Sequence, residues 1–403
     1  MGLRNSATVS VYLSYALQAT ALAMSWQFVS LFVKHDLGAP DFLTITIVWA
    51  APAFINIVAV NIWGALSDRA GARKPFMIIG FFGYALTFSL YSFVYDSFQY
   101  LVVAMAGAVI SSAALPVGQA LLTTNVENKG ERLGYFISAQ SAGWFFGALS
   151  SGLLYDILGM AVLYRIAAVF CVAALVTCLL FVRDVPVEAN LDTPSSSLIT
   201  ILREPGMLRL VGAVGLSQIG MNAVSFMMSI MIVDELGGQA YYVGLANSAA
   251  TLIAVVITGY IGKLIDRKGP AKILVISMVS YVVFAFGFAI VNDPVAASIM
   301  WALPIYPLSS TAAYALGAFL SDRSERGRAM SLVSGAQNTG SAVGPVVGGL
   351  FAQYVFNSVQ PISWINMLFN AAGFILAFSL IGLAASRNSS KAKASDNTEF
   401  HKP

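Results

Sequence analysis

The sequence predicts an all-α polytopic membrane protein with twelve transmembrane helices in two pseudo-symmetric six-helix bundles. Three observations support this fold class: a composition poor in charge, twelve apolar runs of membrane length, and an internal repeat. Of the 403 residues, 58% are hydrophobic and 10% are charged, whereas soluble domains carry about 25% charged residues. A soluble fold of this length would lack a charged surface, so lipid is the main solvent of the chain.

The apolar runs match the thickness of a bilayer, whose core of about 30 Å requires about 20 apolar residues per helix. The first predicted bundle, residues 1–182, has spans at 9–33, 42–66, 75–94, 99–123, 134–155 and 162–182. The second, residues 207–385, has spans at 207–233, 242–264, 272–292, 295–320, 330–356 and 362–385. Residues 183–206 are too polar to cross and form a predicted cytoplasmic linker, and the Ser-, Lys- and Asn-rich residues 386–403 form a predicted disordered cytoplasmic tail.

The charge distribution predicts the orientation. With both termini in the cytoplasm, only Lys34 and Arg165 of the 22 basic residues fall on the outer side. This bias is the one expected for a multi-pass protein of the plasma membrane. The outer loops are acidic by contrast.

The two halves repeat at a spacing close to half the chain length. Because six spans is an even number, the halves run parallel, related by an axis along the membrane normal. One set of residues recurs 198 residues later, namely Gly64, Leu66, Asp68, Arg69, Gly71 and Lys74 as Gly262, Leu264, Asp266, Arg267, Gly269 and Lys272. A second set recurs 197 residues later, namely Gln140, Gly143, Gly147 and Gly152 as Gln337, Gly340, Gly344 and Gly349.

The segment 64–74 has an unusual charge placement. Asp68 lies at the C-terminal end of predicted helix 2, where the helix dipole disfavours an anion. It therefore requires a partner, either Arg69 beside it or the free N–H groups at the start of a neighbouring helix. Gly71 permits a tight turn, and Arg73 is expected to face headgroups or cytosol.

This segment resembles the loop between helices 2 and 3 that marks the major facilitator superfamily, departing from it mainly at Ala72. The resemblance implies the superfamily's fold, a function in transport by alternating access, and a loop that latches the two halves on the cytoplasmic side. The latch residues that it implies are Asp68, Arg69 and Gly71, with Asp266, Arg267 and Gly269 as a second latch.

Predicted helix 11 carries a glycine-proline segment with Gly340, Gly344, Pro345, Gly348 and Gly349. It is similar to the signature that drug antiporters of the superfamily carry in helix 5. Here helix 5 has only a partial copy, with Ala148 in place of the proline. Close helix packing and antiport explain the segment equally well, and both interpretations stay open.

Candidate substrate-binding residues follow from the resemblance, since helices 1, 4, 7 and 10 line the central cavity of this superfamily. Polar and aromatic residues recur on one face of these spans. They are Gln18, Ser25, Gln119, Gln218, Asn222, Ser225, Tyr306, Ser310 and Tyr314. The alternative is that these side chains hydrogen-bond between helices without contacting substrate.

The predicted cavity has no charge, because every Asp, Glu, Lys and Arg falls in a loop or at a helix end. Met105 also stands where the superfamily's drug antiporters place an arginine. A neutral cavity favours a neutral, zwitterionic or amphipathic solute. A coupling proton stays an open alternative, with the outer-rim residues Asp36, Asp234 and Glu235 as its only candidate carriers.

These observations predict a secondary transporter, with efflux of hydrophobic compounds as the first hypothesis. Uptake or uniport of a neutral metabolite such as a sugar is the second, and a non-transporting receptor is a remote third. No nucleotide loop, metal cluster or nucleophile-base pair appears, so we predict no enzyme activity, no metal and no cofactor. The expected partners are the lipid bilayer and a small molecule, without nucleic acid, for a chain acting as a monomer.

Overall fold

The computed structural model describes residues 2–123, 129–184, 198–321 and 325–399, with side chains for 8–123, 130–184, 200–321 and 325–383. The described residues contain helices and no strands. They form twelve segments, α1 to α12. The first six are α1 (Gly2–Trp26 and Val29–His35), α2 (Phe42–Ala70), α3 (Lys74–Tyr91), α4 (Ser97–Ser111 and Ala114–Thr123), and α5 and α6, which Gly159 divides within Lys129–Phe181.

The second set of six begins after a short linker helix, Leu198–Leu202. It comprises α7 (Met207–Ser225 and Met228–Ile230, continued by the π-helix Met231–Glu235), α8 (Ala240–Lys268), α9 (Pro270–Ile290), α10 (Pro294–Trp301 and Ile305–Leu320), α11 (Arg326–Phe351, continued by the π-helix Ala352–Phe356) and α12 (Ile362–Glu399). The predicted all-α fold class is confirmed.

By length and composition alone, seven of the described helices could cross a membrane, or eight if the bent pair in α1 is one span. That count treats α5 and α6 as one element, although Gly159 turns the chain between them. The remaining segments are shorter, interrupted or more polar, and for this reason the count of seven or eight does not include them.

The linker and tail differ in part from the expectation. Residues 185–197 of the predicted linker lie outside the described residues. The backbone of α12 continues as a helix to Glu399, and thus through most of the tail 386–403 that we predicted to be disordered. Its Ala-, Ser- and Lys-containing sequence has no glycine or proline before Pro403 to end the helix.

The bundle has two ends. The start of α1, the end of α6 and the start of α7 lie at one end, here called the terminal side. The α1–α2, α3–α4 and α5–α6 connections with their counterparts lie at the other, the distal side. Three aspartates of the acidic loops cap helices that start on the distal side. Asp41, Asp96 and Asp293 accept hydrogen bonds from backbone N–H groups at the starts of α2, α4 and α10, at 2.7–2.8 Å. These anions therefore complement helix dipoles.

Four segments, α1, α4, α7 and α10, are each interrupted by a break of two or three residues. In α1 the break falls at Gln27 and Phe28, and in α7 it falls 199 residues later at Phe226 and Met227. Neither of these two breaks contains proline. The breaks therefore belong to the repeat, and they occur in the same four helices that the family resemblance assigns to the cavity.

The repeated glycines explain how each bundle packs. A Cβ on Gly143 would lie 2.9 Å from Ala19 of α1, and a Cβ on Gly344 would lie 2.6 Å from Asn222 of α7. The glycines of α5 thus let it approach α1, and those of α11 let it approach α7, in corresponding ways. Such backbone proximity is typical of helix pairs in membranes.

Candidate functional site

The two halves meet along two seams on the distal side. In the first, Gly152 of α5 lies against Gly244 of α8, so that a Cβ on Gly152 would be 2.6 Å from the Gly244 Cα. In the second, Gly349 of α11 lies against the Thr46 side chain of α2. The residues correspond between the halves, because Gly349 is the repeat of Gly152 and Gly244 lies 198 residues after Thr46. The distal seams are therefore pseudo-symmetric contacts in which a glycine lets two helices approach closely.

Polar contacts reinforce these seams. The backbone N–H of Phe42 donates to Gln353 Oε1 at 2.9 Å, joining α2 to the end of α11. The Ser30 hydroxyl of α1 donates to the backbone oxygen of Phe226 in α7 and accepts from Trp49 Nε1 at 2.9 Å. Both breaks in α1 and α7 therefore lie beside a contact that crosses between the halves.

Charged residues close the outermost layer. Lys34 Nζ lies 2.5 Å from Asp234 Oδ2, and His35 Nε2 lies 3.0 Å from Asp234 Oδ1. The Asp234 carboxylate thus contacts two side chains of the first half. Glu235 has a different role, since its carboxylate accepts from Ser358 Oγ and from the backbone N–H groups of Val359 and Gln360, and so orders the α11–α12 loop. Partial burial raises the pKa of the Asp36 carboxyl above its usual value.

A cavity of about 730 Å³ lies between the halves, within the range typical of small-molecule sites. One wall is α5, with Gly134, Ile137, Ser138 and Ser141. The opposite wall is formed by α7, α8, α9 and α10. The cavity extends toward the terminal ends of α5 and α8, where a Cβ on Gly134 or Gly259 would meet nothing within 4 Å. Helices α5 and α8 therefore touch at Gly152 and Gly244 and separate toward the terminal side.

Among the residues that the structure describes, the cavity lining contains no Asp, Glu, Lys, Arg or His. Trp301 and Tyr306 of α10 and Phe284 of α9 give it an aromatic wall, and Trp301 lies 6.0 Å from Phe284 between ring centroids. Amides and hydroxyls supply the polar part, including Asn247 and Ser310. Such a surface can pack on a flat apolar solute and hydrogen-bond it, and it offers no counter-charge.

Of the predicted substrate-binding residues, Tyr306 and Ser310 line this cavity. Tyr314, two turns from Tyr306, instead donates to Gln337 Oε1 at 2.8 Å and so links α10 to α11.

The two predicted amides of α7 do not line this cavity. Gln218 is 6% exposed, and Cβ atoms built on Gly340 and Gly344 would lie 2.5 and 2.6 Å from Gln218 Cβ and Asn222 Cβ. The Asn222 amide donates to the oxygens of Gln218. In this structure Gln218 and Asn222 pack α7 on α11. Contact between helices was the alternative to substrate binding, and helical periodicity alone could not distinguish the two.

The remaining predicted residues also lie apart from the cavity lining. Gln18 is 2% exposed, and its Oε1 has no hydrogen-bond partner within the described part of the chain. Ser25 donates to the Leu22 carbonyl of its own helix. Gln119 is exposed, and its backbone oxygen accepts from Thr123. Ser225 is half-buried at the end of the first part of α7.

The terminal-side loop between α2 and α3 gives Asp68 a partner that we did not expect. Arg73 Nη2 lies 2.6 Å from Asp68 Oδ1, and Arg73 Nη1 donates to Ser67 Oγ at 3.0 Å. Arg73 is 7% exposed, so our prediction that it faces headgroups or cytosol is wrong. Its long side chain folds back over the turn because Gly71 adopts φ 61°. Arg69 is exposed.

The second loop lacks this arrangement. The position matching Arg73 is Ala271, 198 residues later, and Asp266 and Arg267 are exposed. Gly269 keeps a positive φ of 85° and donates to the Ile265 carbonyl. The latch roles of both loops concern a state with a closed terminal side, and they stay predictions.

Gln27 and Asn247 were not among the predicted site residues. Gln27 Oε1 accepts from Asn247 Nδ2 at 3.0 Å, and Asn247 Oδ1 accepts from Trp301 Nε1 at 3.1 Å. Asn247 lies on α8, outside the four helices to which we confined the search. The signal present in the sequence was the polar face of α8, on which Asn247, Thr251 and Thr258 recur at helical spacing.

Comparison with known proteins gives the family. The family model of the Major Facilitator Superfamily matches residues 11–320 and 306–402. A relative named multidrug resistance protein MdtG, from Enterobacter lignolyticus (strain SCF1), is 25% identical over 394 residues, covering 92% of this chain and 91% of that protein.

Two solved structures share the fold. A mutant of the nucleoside transporter NupG superposes with a TM-score of 0.79 at 12% identity, covering 93% of this chain and 99% of that one. The human organic anion transporter MFSD10 superposes with a TM-score of 0.64 at 15% identity, covering 93% and 99%. One of these proteins is named for nucleosides and the other for organic anions, so the fold does not determine the substrate. The chain described here belongs to the Major Facilitator Superfamily and is an integral membrane transporter, not an enzyme.

Proposed function

We propose that this protein exports small neutral or amphipathic hydrophobic compounds across the plasma membrane by alternating access. The uncharged, aromatic cavity between the two halves carries this proposal. Its lining can bury a flat apolar solute, whereas an obligate ion would lose hydration there without gaining a counter-charge, at several kcal/mol.

The direction follows from the orientation. We place both termini in the cytoplasm, because the basic residues concentrate on the terminal side. The cavity widens toward that side while the distal seams are closed, so the described conformation would receive its substrate from the cytoplasm or the inner leaflet. The relatives named for multidrug resistance support the same direction.

Uptake or uniport of a neutral metabolite is the second candidate. The observation that favours it is the lack of an ionisable Asp, Glu or His among the described residues that line the cavity, since a proton carrier beside the substrate would have to be such a group. If a proton is coupled, Asp36 or Asp234 on the distal side would carry it.

The cavity lies within one chain, and we propose that the monomer transports.

The test is transport by purified protein in proteoliposomes, with the neutral dye Nile red as a hydrophobic probe and glucose as a sugar probe. Export of the dye, abolished by Trp301→Ala and weakened by Tyr306→Ala, would support the proposal. Tyr354→Ala is the matched control, because Tyr354 is 70% exposed outside the cavity. Movement of glucose alone would favour the second candidate, and binding without movement of any probe would favour a receptor. Repeating the assay with and without a pH gradient tests proton coupling.

A further inference from the structure

One chain of hydrogen bonds crosses from the first half to the cavity wall. Gln27 of α1 donates through Nε2 to Ser151 Oγ at 2.6 Å and to the Ala148 carbonyl at 3.0 Å, which fixes its side chain on α5. Its Oε1 then accepts from Asn247 Nδ2 at 3.0 Å. We call the Gln27–Asn247 bond the crossbar.

The crossbar lies at the level of the distal seam. Ser151 precedes Gly152, and Asn247 follows Gly244 by one helical turn. Gln27 occupies the break in α1, where the chain has left the regular helix. When the distal side opens, α5 and α8 must part at their glycines, and the crossbar must break with them.

Both N–H groups of the Asn247 amide are hydrogen-bonded while the distal side is closed. Its Nδ2 donates to Gln27 and to the Val243 carbonyl of its own helix, and its Oδ1 accepts from Trp301 Nε1. Asn247 and Trp301 also line the cavity. A ligand that hydrogen-bonds to the Nδ2 group must therefore take the position of Gln27 Oε1.

We propose that Asn247 is a specificity-determining residue that couples substrate binding to opening of the distal side. A carbonyl oxygen on the ligand competes with Gln27 for Asn247, while the flat apolar part of the ligand packs on Trp301 and Phe284. This inference rests on the proposed function and names its substrate class: neutral compounds with a carbonyl or amide oxygen beside an aromatic body.

The energetics give the proposal its direction. A ligand shifts a conformational equilibrium only by its difference in affinity between the two states. A carbonyl ligand must displace the crossbar in the distal-closed state, whereas in the distal-open state the crossbar is already broken. A ligand of the same shape without the oxygen gains no such difference, so it binds in the cavity without opening the distal side.

The first experiment needs no ligand. Spin labels at Tyr95→Cys and Asn292→Cys report the distance between corresponding distal loops of the two halves in reconstituted protein. Gln27→Met and Asn247→Leu should each raise the distal-open population about tenfold, since each removes the hydrogen bond that joins the two halves. The other hydrogen bonds of the two amides lie within one half, so their loss affects both states alike. The double variant should raise the distal-open population no further than either single variant, because both remove the same bond.

The matched control is Asn61→Leu, since the Asn61 amide donates to the Ile57 carbonyl of its own helix. Unchanged distances in both single variants would overturn the proposal.

The second experiment uses two probes of nearly equal shape, benzanilide and trans-stilbene. Benzanilide should shift the spin-label distance toward the open state in the wild-type protein and not in Gln27→Met. Stilbene should leave the distance unchanged in both proteins. Equal shifts by both probes, or no shift by benzanilide, would overturn the recognition of a carbonyl by Asn247. A different result would contradict the proposed function alone: Nile red is not transported, although the crossbar variants shift the spin-label distances.

Discussion

Adding one methyl group at the α5–α8 seam should open the distal side. In Gly152→Ala, the new Cβ would lie 2.6 Å from the Gly244 Cα and 3.1 Å from its backbone N. A backbone cannot rotate away as a side chain can, so α5 and α8 must separate. Overpacking of this kind costs about 1–3 kcal/mol. Because the contact exists only when the distal side is closed, the whole penalty falls on that state and shifts the equilibrium about 5- to 150-fold toward the open one.

The assay is the distribution of distances between spin labels at Tyr95→Cys and Asn292→Cys. Gly134→Ala is the matched control, since it lies on the same helix and its Cβ would meet nothing within 4 Å. Both substitutions stabilise helix α5 by about 1 kcal/mol, because alanine has a higher helix propensity than glycine. This gain affects the two conformations equally. A Gly152→Ala protein with the same distance distribution as Gly134→Ala would refute the assignment of this glycine pair as the closed seam.

Three further predictions concern charged residues. Asp234→Asn should raise the distal-open population about 1.4- to fivefold, because a partly exposed ion pair contributes about 0.2–1 kcal/mol. The same distance measurement checks it, and the effect should shrink in high salt. Arg73→Met should lower thermal stability by about 1 kcal/mol, since it removes the partner of Asp68 at the end of α2, whereas Arg69→Met should change it little. Asp36→Asn should raise the melting temperature at neutral pH. Because partial burial raises the folded-state pKa of Asp36, the stability of the wild-type protein falls as the pH rises through that value, so the advantage of the Asp36→Asn variant should vanish in acid. A pH-independent gain, measured by thermal unfolding in detergent, would contradict this last expectation.

The fold could be predicted because lipid imposes strong rules on sequence. Twelve apolar runs and a repeat at nearly constant spacing left few arrangements, and the repeated glycines at Gly152 and Gly349 prove to be residues that contact the opposite half. Packing between the halves thus explains why these two glycines recur.

The site could be predicted only in part. Helical periodicity shows that Gln218 and Asn222 share a face, but it does not show whether that face meets a cavity or the glycines of α11. Periodicity also does not show how far a long side chain extends. For this reason the sequence predicted that Arg73 faces headgroups or cytosol, whereas its side chain contacts Asp68. Asn247 was not predicted because it lies on α8, outside the four helices that the resemblance assigns to the cavity, and its partner Gln27 lies 220 residues away in the other half.

The breaks in α1, α4, α7 and α10 give the molecule joints. The short segments beyond the breaks in α1 and α7 carry Lys34 and Asp234, which hold each other across the halves. Each segment can therefore tilt on its own helix without moving the rest of its bundle. Closure of the distal side then proceeds in stages, in which these two segments meet before the rest of the two bundles does. A substrate is thereby enclosed from both sides for a time between the two open states.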